Sequence, residues 1–236
     1  MRPYTRSLHP SDYAFLVHAE PLRAFERNMT AHGVPHREWH EHRVWEYASM
    51  MQQLDGLCVP KHSRIVDVGS GASFFPAYLA TVGGYPDVSL VDSMQYGDVT
   101  ADVAAQRAFY HVALPLHDLS VENMHSIPDQ SFDVVMCIST IEHVAVDKHD
   151  DALRELWRIT RPGGLIFITS DYFRDLEQFE LSPSRHLQCT PYMKAFVLSI
   201  PSKINAQFVG GTDLDYRGDF VHSYSFVNIC LRTGLK

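Results

Sequence analysis

The residues best suited to binding chemistry form a glycine-containing turn in the first half of the chain. Gly69, Ser70 and Gly71 directly follow the β-branched run from Arg64 to Val68, and a helical segment comes after them. Glycine lets the backbone approach a ligand closely, and the amide groups at a helix N-terminus favour an anionic or polar group. The turn therefore predicts a small-molecule site, although a glycine pair alone also serves as a structural turn.

A carboxylate follows at the spacing that such a site requires. Asp92 ends the next β-branched run, Val88 to Val91, and a carboxylate about 20 residues after the turn can accept hydrogen bonds from ribose hydroxyls. A solvated aspartate at a strand end is the alternative interpretation. Phe74 stands where the glycine pattern of nicotinamide-binding proteins needs a third glycine, so a nicotinamide cofactor fits this turn less well.

Alternating strands and helices must position these residues. Apolar residues recur at helical spacing from Glu38 to about Leu54, and strand-like runs then alternate with helical segments. This order predicts a parallel sheet covered by helices, with ligands at the carboxyl ends of the strands. The last two strand-like runs have no helix between them and predict an antiparallel hairpin. The runs after Val91 are Tyr110 to Leu116, which leads to Asp118, and then Phe132 to Ile138, Leu165 to Thr169, Ala206 to Val209 and Tyr224 to Leu231.

Three motifs follow one another along the chain. The first is Val66 to Ser73, which contains the glycine turn and has Ser73 in place of a third glycine. The second is Ile127 to Val135 followed by Thr140 to Val144, and the third is Arg158 to Leu165. In this order and spacing they resemble the glycine-rich first motif, the fourth strand with its exit, and the turn before the fifth strand of class I S-adenosylmethionine-dependent methyltransferases of the small-molecule type. The motifs specify this family better than they specify the methyl acceptor.

The resemblance implies a fold and a division of the chain. The expected fold is α/β, a Rossmann-like, doubly wound and mostly parallel sheet of seven strands that ends in the antiparallel hairpin. Residues 1–37 would form an N-terminal helical or irregular cover, and residues 38–236 would form the S-adenosylmethionine-binding methyltransferase domain.

The resemblance also implies the cofactor contacts. Asp67 and the glycine turn should hold the amino-acid end of S-adenosylmethionine, Asp92 the ribose, and Asp118 with Leu119 the adenine edge. Glu122 or Asn123 could take the place of Asp118. The full set of expected cofactor-binding residues is Asp67, Gly69, Ser70, Gly71, Asp92, Ser93, Asp118, Leu119 and Ile138.

Two further residues are candidates for the catalytic step. His143 follows the fourth strand and Asp171 the fifth, so we expect both at the mouth of the site, sharing general-base work on an acceptor hydroxyl. Such a base typically contributes about 10² to 10⁴ in rate, and alignment of the nucleophile roughly 7 to 11 kcal/mol. The alternatives are a structural role for His143 beside the cofactor and a helix N-cap role for Asp171 ahead of Tyr172.

Composition limits the partners. The formal charge is -8 and no cluster of Lys and Arg stands out, which argues against nucleic acid. No apolar stretch has the length of a signal peptide core or a membrane span, so a cytoplasmic location is expected. His36 and His40 have helical spacing, but Arg37 stands where a zincin motif needs glutamate, and we expect no metal.

These patterns predict an enzyme that transfers a methyl group from S-adenosylmethionine to a small-molecule acceptor, with a hydroxyl of a sugar or natural product as the expected target. An NAD-dependent oxidoreductase and a non-catalytic adenosyl-binding protein of the same fold remain alternatives. The oligomeric state cannot be predicted. Acceptor choice should depend on residues 1–47, the loop after Asp171, Gln188 to Phe196 and Asp213 to Arg217.

Overall fold

The computed structural model describes residues 5–7, 17–37, 41–181, 190–215 and 225–234. The chain divides into two compact units, residues 13–120 and residues 1–12 with 121–236. This division does not test the domain boundary expected between residues 37 and 38, which stays a prediction. His40, Cys189, Tyr216 and Arg217 lie outside the described residues.

The described residues form helices and strands in alternation over most of their length. The helices are α1 (Ala19–Ala31), α2 (Glu41–Gly56), α3 (Phe75–Ala80), α4 (Thr100–Tyr110), α5 (His149–Ile159), α6 (Leu176–Leu181) and α7 (Lys194–Lys203). The strands are β1 (Thr5–Ser7), β2 (Ile65–Val68), β3 (Val88–Asp92), β4 (Leu116–Asp118), β5 (Phe132–Ile138), β6 (Thr160–Tyr172), β7 (Ala206–Phe208), β8 (Thr212–Asp213) and β9 (Ser225–Thr233).

In the unit of residues 13–120, three parallel strands lie in the order β4, β3, β2. Ile65 pairs with Val88, and Asp92 pairs with Asp118, so β3 and β4 end at the same level. All four residues of β2 are buried, as expected for a strand covered on both faces by helices. The sheet therefore brings the ends of β2, β3 and β4 to one edge.

In the unit of residues 1–12 and 121–236, the strands lie in the order β5, β6, β9, β1, β8, and β7 also pairs with β9. β5 and β6 are parallel, whereas β9 is antiparallel to both β6 and β7. β6 is long because it begins at Thr160, before Gly163 and Gly164. A Cβ at Gly164 would lie 2.9 Å from the Asp133 carbonyl oxygen, so this position in the sheet requires glycine.

The α/β fold class is confirmed. The helix predicted from Glu38 to Leu54 is confirmed as α2, and the antiparallel hairpin is confirmed as the β7–β9 pair. The described residues form nine strands, and two of them were not expected: β1, within the predicted N-terminal cover, and the two-residue strand β8. β1 joins the sheet by pairing with β8 and β9, and α1 also lies within residues 1–37. Among the described helices, none is long and apolar enough to cross a membrane.

Candidate functional site

The glycine turn has the backbone conformation that its sequence predicts. Gly69 and Gly71 have φ angles of 73° and 54°, in the left-handed region that favours glycine. A Cβ at Gly71 would meet no atom within 4 Å, so conformation rather than space explains this glycine. The N–H of Gly69 donates to the carbonyl of Val91 at 2.7 Å. The turn is thereby fixed against the end of β3.

The Asp92 carboxylate makes a second connection between these loops. Its Oδ2 accepts a hydrogen bond from the N–H of Gly71 at 2.7 Å, and its Oδ1 accepts one from the N–H of Met94 at 2.9 Å. The side chain is half-buried. A carboxylate oxygen has two acceptor sites, so each oxygen can still accept from a ligand.

The remaining predicted residues of this unit gather at the same sheet edge. Asp118 is the register partner of Asp92, and the N–H of Leu119 donates to the Asp92 carbonyl at 3.1 Å. Asp118 and Ser93 are exposed, and Leu119 is half-buried. The structure therefore brings the turn, Asp92, Ser93, Asp118 and Leu119 together, whereas their contacts with a cofactor stay predictions.

Asp67 is a buried carboxylate at the end of β2. Only 2% of its surface is exposed, and its Oδ1 has no hydrogen-bond partner within the part of the chain that the structure describes. Burial, reinforced by the negative charge of Asp92, raises the pKa of Asp67 to about 8, against the opposing effect of Arg43. Such a group is poised to accept a hydrogen bond from a bound cation.

Helix α2 packs against the turn through Tyr47. The hydroxyls of Tyr47 and Ser73 share a hydrogen bond of 2.8 Å, and the Tyr47 ring stacks on Phe75 with centroids 4.4 Å apart. One helical turn earlier, Arg43 donates to the fully buried Glu46 at 2.8 Å. Sequence reasoning missed Arg43, although an arginine three residues before a glutamate on a predicted helix is a visible signal.

The segment before α2 is also fixed to the turn. The N–H of Arg37 donates to the Ala72 carbonyl at 3.1 Å, and its guanidinium donates to the Tyr96 carbonyl at 2.9 Å. Gln106 Nε2 donates to the carbonyls of Pro35 at 3.2 Å and Ala72 at 3.4 Å. Residues 35–37 thus contact both loops that follow β2 and β3.

In the other unit, Ile138 and His143 lie at and after the end of β5. Ile138 is the last residue of β5 and is buried. Ser139, with φ 43°, turns the chain, and its N–H lies 3.0 Å from Thr169 Oγ1 and 3.1 Å from the Thr169 carbonyl. His143 is half-exposed in the short 3-10 turn Ile141–His143 that follows.

Asp171 is not a helix N-cap. It lies within β6, 9% exposed, and pairs with Phe226 of β9. The next helix, α6, begins only at Leu176, and there the Asp175 carboxylate accepts from the N–H of Gln178 at 2.8 Å. The N-cap interpretation of Asp171 is therefore wrong, and the catalytic roles of Asp171 and His143 stay predictions.

The described side chains form no group of three or more His, Cys, Asp and Glu residues that could hold a metal ion. Within the predicted histidine pair, His36 Nδ1 lies 3.0 Å from the Val34 carbonyl oxygen. The site described above is thus built from backbone amides, carboxylates and hydroxyls.

A family model described as a methyltransferase domain matches residues 66–168. No curated protein matches the chain in sequence.

Solved structures share the fold at low sequence identity. The [4+2]-cyclase SpnF has a TM-score of 0.64 and 14% identity, covering 81% of this chain and 84% of SpnF. The YcgJ protein from Bacillus subtilis gives the same TM-score of 0.64 and identity of 14%, covering 84% and 100%. The 1,6-didemethyltoxoflavin-N1-methyltransferase of Burkholderia thailandensis, solved with 1,6-didemethyltoxoflavin and S-adenosylhomocysteine bound, has a TM-score of 0.58 and 13% identity, covering 96% and 91%. At these identities the likeness shows the fold alone.

Proposed function

We propose that the protein transfers a methyl group from S-adenosylmethionine to a hydroxyl group of a small molecule, such as a sugar or a natural product; the match of residues 66–168 to a family model described as a methyltransferase domain supports methyl transfer. The observation that carries the proposal is the glycine turn, which the Gly71 N–H ties to the Asp92 carboxylate. The lack of a basic cluster in a chain of net charge -8 supports a small acceptor over nucleic acid. A cytoplasmic location also stays a prediction.

The residues of the 13–120 unit fit S-adenosylmethionine. The Oδ1 of Asp67, which has no hydrogen-bond partner among the described residues, would accept from the ammonium at the amino-acid end of the cofactor. The amides of the glycine turn would contact the same end. Asp92 would accept from the ribose hydroxyls, while Ser93, Asp118 and Leu119 would lie along the adenine. When bound, this cofactor supplies a methyl group on a positively charged sulfur.

We assign the acceptor step to His143 and Asp171. In that step the acceptor oxygen forms a bond to the methyl carbon, and the carbon–sulfur bond breaks with its electron pair left on sulfur. His143 or Asp171 would take the hydroxyl proton as a general base. Ile138, at the end of β5, would be a further cofactor contact.

A second candidate is an adenosyl-binding protein of the same fold that does not transfer methyl groups to such acceptors. The protein SpnF, which shares this fold, is named a [4+2]-cyclase, so the fold alone does not establish methyl transfer. The NAD-dependent alternative has less support, because the family model that matches describes a methyltransferase domain.

Transfer of a labelled methyl group tests the proposal. The protein would be incubated with S-adenosylmethionine carrying a tritiated methyl group and with a panel of monosaccharides, glycosides and phenolic natural products, beside amines of similar size. Label appearing in a hydroxyl acceptor with the wild type, and lost with Asp92→Ala, is the expected result. Transfer only to amines, or to no acceptor despite normal cofactor binding, would contradict the proposed hydroxyl transfer.

A further inference from the structure

A line of side chains crosses the sheet of the 1–12 and 121–236 unit at the level where β5 ends. Strand pairing aligns Ile138 with Thr169, Thr169 with Asn228, Asn228 with Arg6, and Arg6 with Asp213. Register partners project their side chains to the same face of a sheet. These five residues, which we name the edge row, therefore lie side by side on one face.

The edge row lies where sheets of this class bind ligands. Ile138 is the last residue of β5, and the Ser139 N–H reaches Thr169 directly after it. In open α/β sheets, ligands bind beyond the carboxyl ends of the parallel strands. The edge row is thus the last line of side chains before the chain leaves the sheet at the end of β5.

Asn228 is the unusual member of the edge row. It interrupts an apolar, buried run from Phe226 to Leu231, and only 1% of its surface is exposed. Its Oδ1 has no hydrogen-bond partner among the described residues. A buried acceptor without a partner destabilises a fold, and most buried polar atoms are satisfied. An apolar residue at this position would make the fold more stable. We therefore expect the Asn228 amide to bind a ligand.

The same combination of features occurs at Asp67, in the other unit. Asp67 is also a buried acceptor at the end of a strand, and its Oδ1 likewise has no partner among the described residues. Asp67 belongs to the glycine-rich motif, which is assigned to the cofactor, whereas Asn228 belongs to none of the motifs described above. A different ligand therefore has to account for Asn228.

Two neighbours define the chemistry of that ligand. Asp171 is two residues beyond Thr169 on β6 and pairs with Phe226, which is two residues before Asn228 on β9. Alternation along a strand places all of them on the face of the edge row, with Asp171 diagonal to Asn228 at roughly 7–8 Å. Two oxygen acceptors beside a phenyl ring suit a ring compound with adjacent hydroxyls, which donate to the oxygens while the C–H face packs on Phe226.

We propose that the edge row, together with Asp171 and Phe226, is the acceptor-binding surface of the protein, and that the acceptor is a polyhydroxylated ring such as a sugar or a cyclitol. This inference rests on the proposed methyl transfer to a hydroxyl. Arg6 and Asp213, both half-exposed, lie at the outer end of the row.

Asn228→Leu tests the proposal, because leucine has the same branched arrangement of heavy atoms as asparagine and no polar atom. The matched control is Ile229→Val, one residue further along β9, whose buried side chain projects to the opposite face. Three quantities would be measured for the wild type and both variants. They are the Tm without ligand, the Kd for S-adenosylhomocysteine by calorimetry, and the binding of D-glucose, D-ribose, myo-inositol and cyclohexanol by saturation-transfer NMR.

The expected result is that the wild type binds at least one polyol and not cyclohexanol. Asn228→Leu should weaken polyol binding at least tenfold, with an unchanged Kd for S-adenosylhomocysteine and a Tm at or above that of the wild type. Ile229→Val should bind the polyol normally, with a slightly lower Tm.

Three outcomes would overturn the proposal. The first is a Tm of Asn228→Leu below that of Ile229→Val, which would show a structural role for the amide. The second is polyol binding that the substitution leaves unaffected, and the third is a wild type that binds no polyol. A wild type that fails to bind S-adenosylhomocysteine would instead contradict the proposed function. The Tm and polyol results would still decide the role of Asn228.

Discussion

The carboxylate of Asp92 accepts a hydrogen bond from the backbone N–H of Gly71, with Oδ2 and nitrogen 2.7 Å apart. The end of β3 and the turn after β2 are thereby joined by a charge-assisted bond, which is stronger than a bond between neutral groups. The residue expected to bind ribose also holds the turn expected to bind the amino-acid end of the cofactor. Loss of Asp92 should therefore affect both contacts.

We predict that Asp92→Ala weakens the affinity for S-adenosylhomocysteine at least tenfold, about 1.4 kcal/mol. The substitution removes the predicted ribose acceptor and leaves the Gly71 N–H without its partner. Calorimetric titration measures the change. Asp98→Ala is the control, because Asp98 is an exposed residue of the same loop that accepts from the N–H of Thr100. Equal affinities for the wild type and Asp92→Ala would remove Asp92 from the site.

We predict that Asp67 makes the protein less stable as pH rises from about 4 to about 8. Burial raises the pKa of Asp67 from its ordinary value of 3.8 to about 8 in the fold. The folded state thus holds a proton that the unfolded chain has already released, so stability decreases as pH rises through this window. Urea unfolding between pH 5 and pH 9 measures the effect. Asp67→Asn, which cannot ionise, should lose less stability over this range, and identical pH profiles for the two proteins would contradict the assignment.

Tyr47→Phe should reduce the free energy of unfolding by about 1 kcal/mol, because it removes a buried hydrogen bond. The Tyr47 hydroxyl bonds to Ser73 at 2.8 Å, whereas the Tyr110 hydroxyl is buried and has no partner among the described residues. Tyr110→Phe is therefore the matched control and should be neutral or slightly stabilising. Urea denaturation distinguishes the two variants, and an equal loss in both would show that the Ser73 contact contributes nothing.

His143→Asn and Asp171→Asn test which residue is the general base. The substitution that removes the base should lower kcat by a factor of about 10² to 10⁴. The Kd for S-adenosylhomocysteine should stay within a few fold of the wild type, since neither side chain is assigned to the cofactor. Rates measured against pH separate a base from a structural residue, because only loss of the base removes the acidic limb of the profile. His125→Asn, at an exposed position, is the control. A kcat within a few fold of the wild type for both variants would exclude the two residues as bases.

The sequence predicts those parts of the fold where local pattern and burial agree. β2, β3 and β5 are strands covered on both faces, so they appear as continuous β-branched or apolar runs. α2 has helical spacing. In the sequence, spacing alone associates the glycine turn with Asp92. In the structure, a hydrogen bond joins them.

The remaining elements depend on pairing that no local pattern encodes. β1 has the polar sequence Thr5-Arg6-Ser7, and it is a strand because Thr5 Oγ1 bonds to Cys230, 225 residues away, and Arg6 pairs with Asn228. β6 begins at Thr160 because it pairs with Phe132, whereas the sequence shows only a turn there. Asn228 is visible as one polar residue in an apolar run, but its neighbours on the sheet emerge only from the register.

Calorimetric titration of the purified protein with S-adenosylhomocysteine, with NAD as the control ligand, tests the central claim most directly. The site of Asp67, the glycine turn and Asp92 predicts micromolar binding of S-adenosylhomocysteine with one site per chain and no binding of NAD. Binding of NAD alone, or of neither ligand, would contradict the assignment of these residues to S-adenosylmethionine.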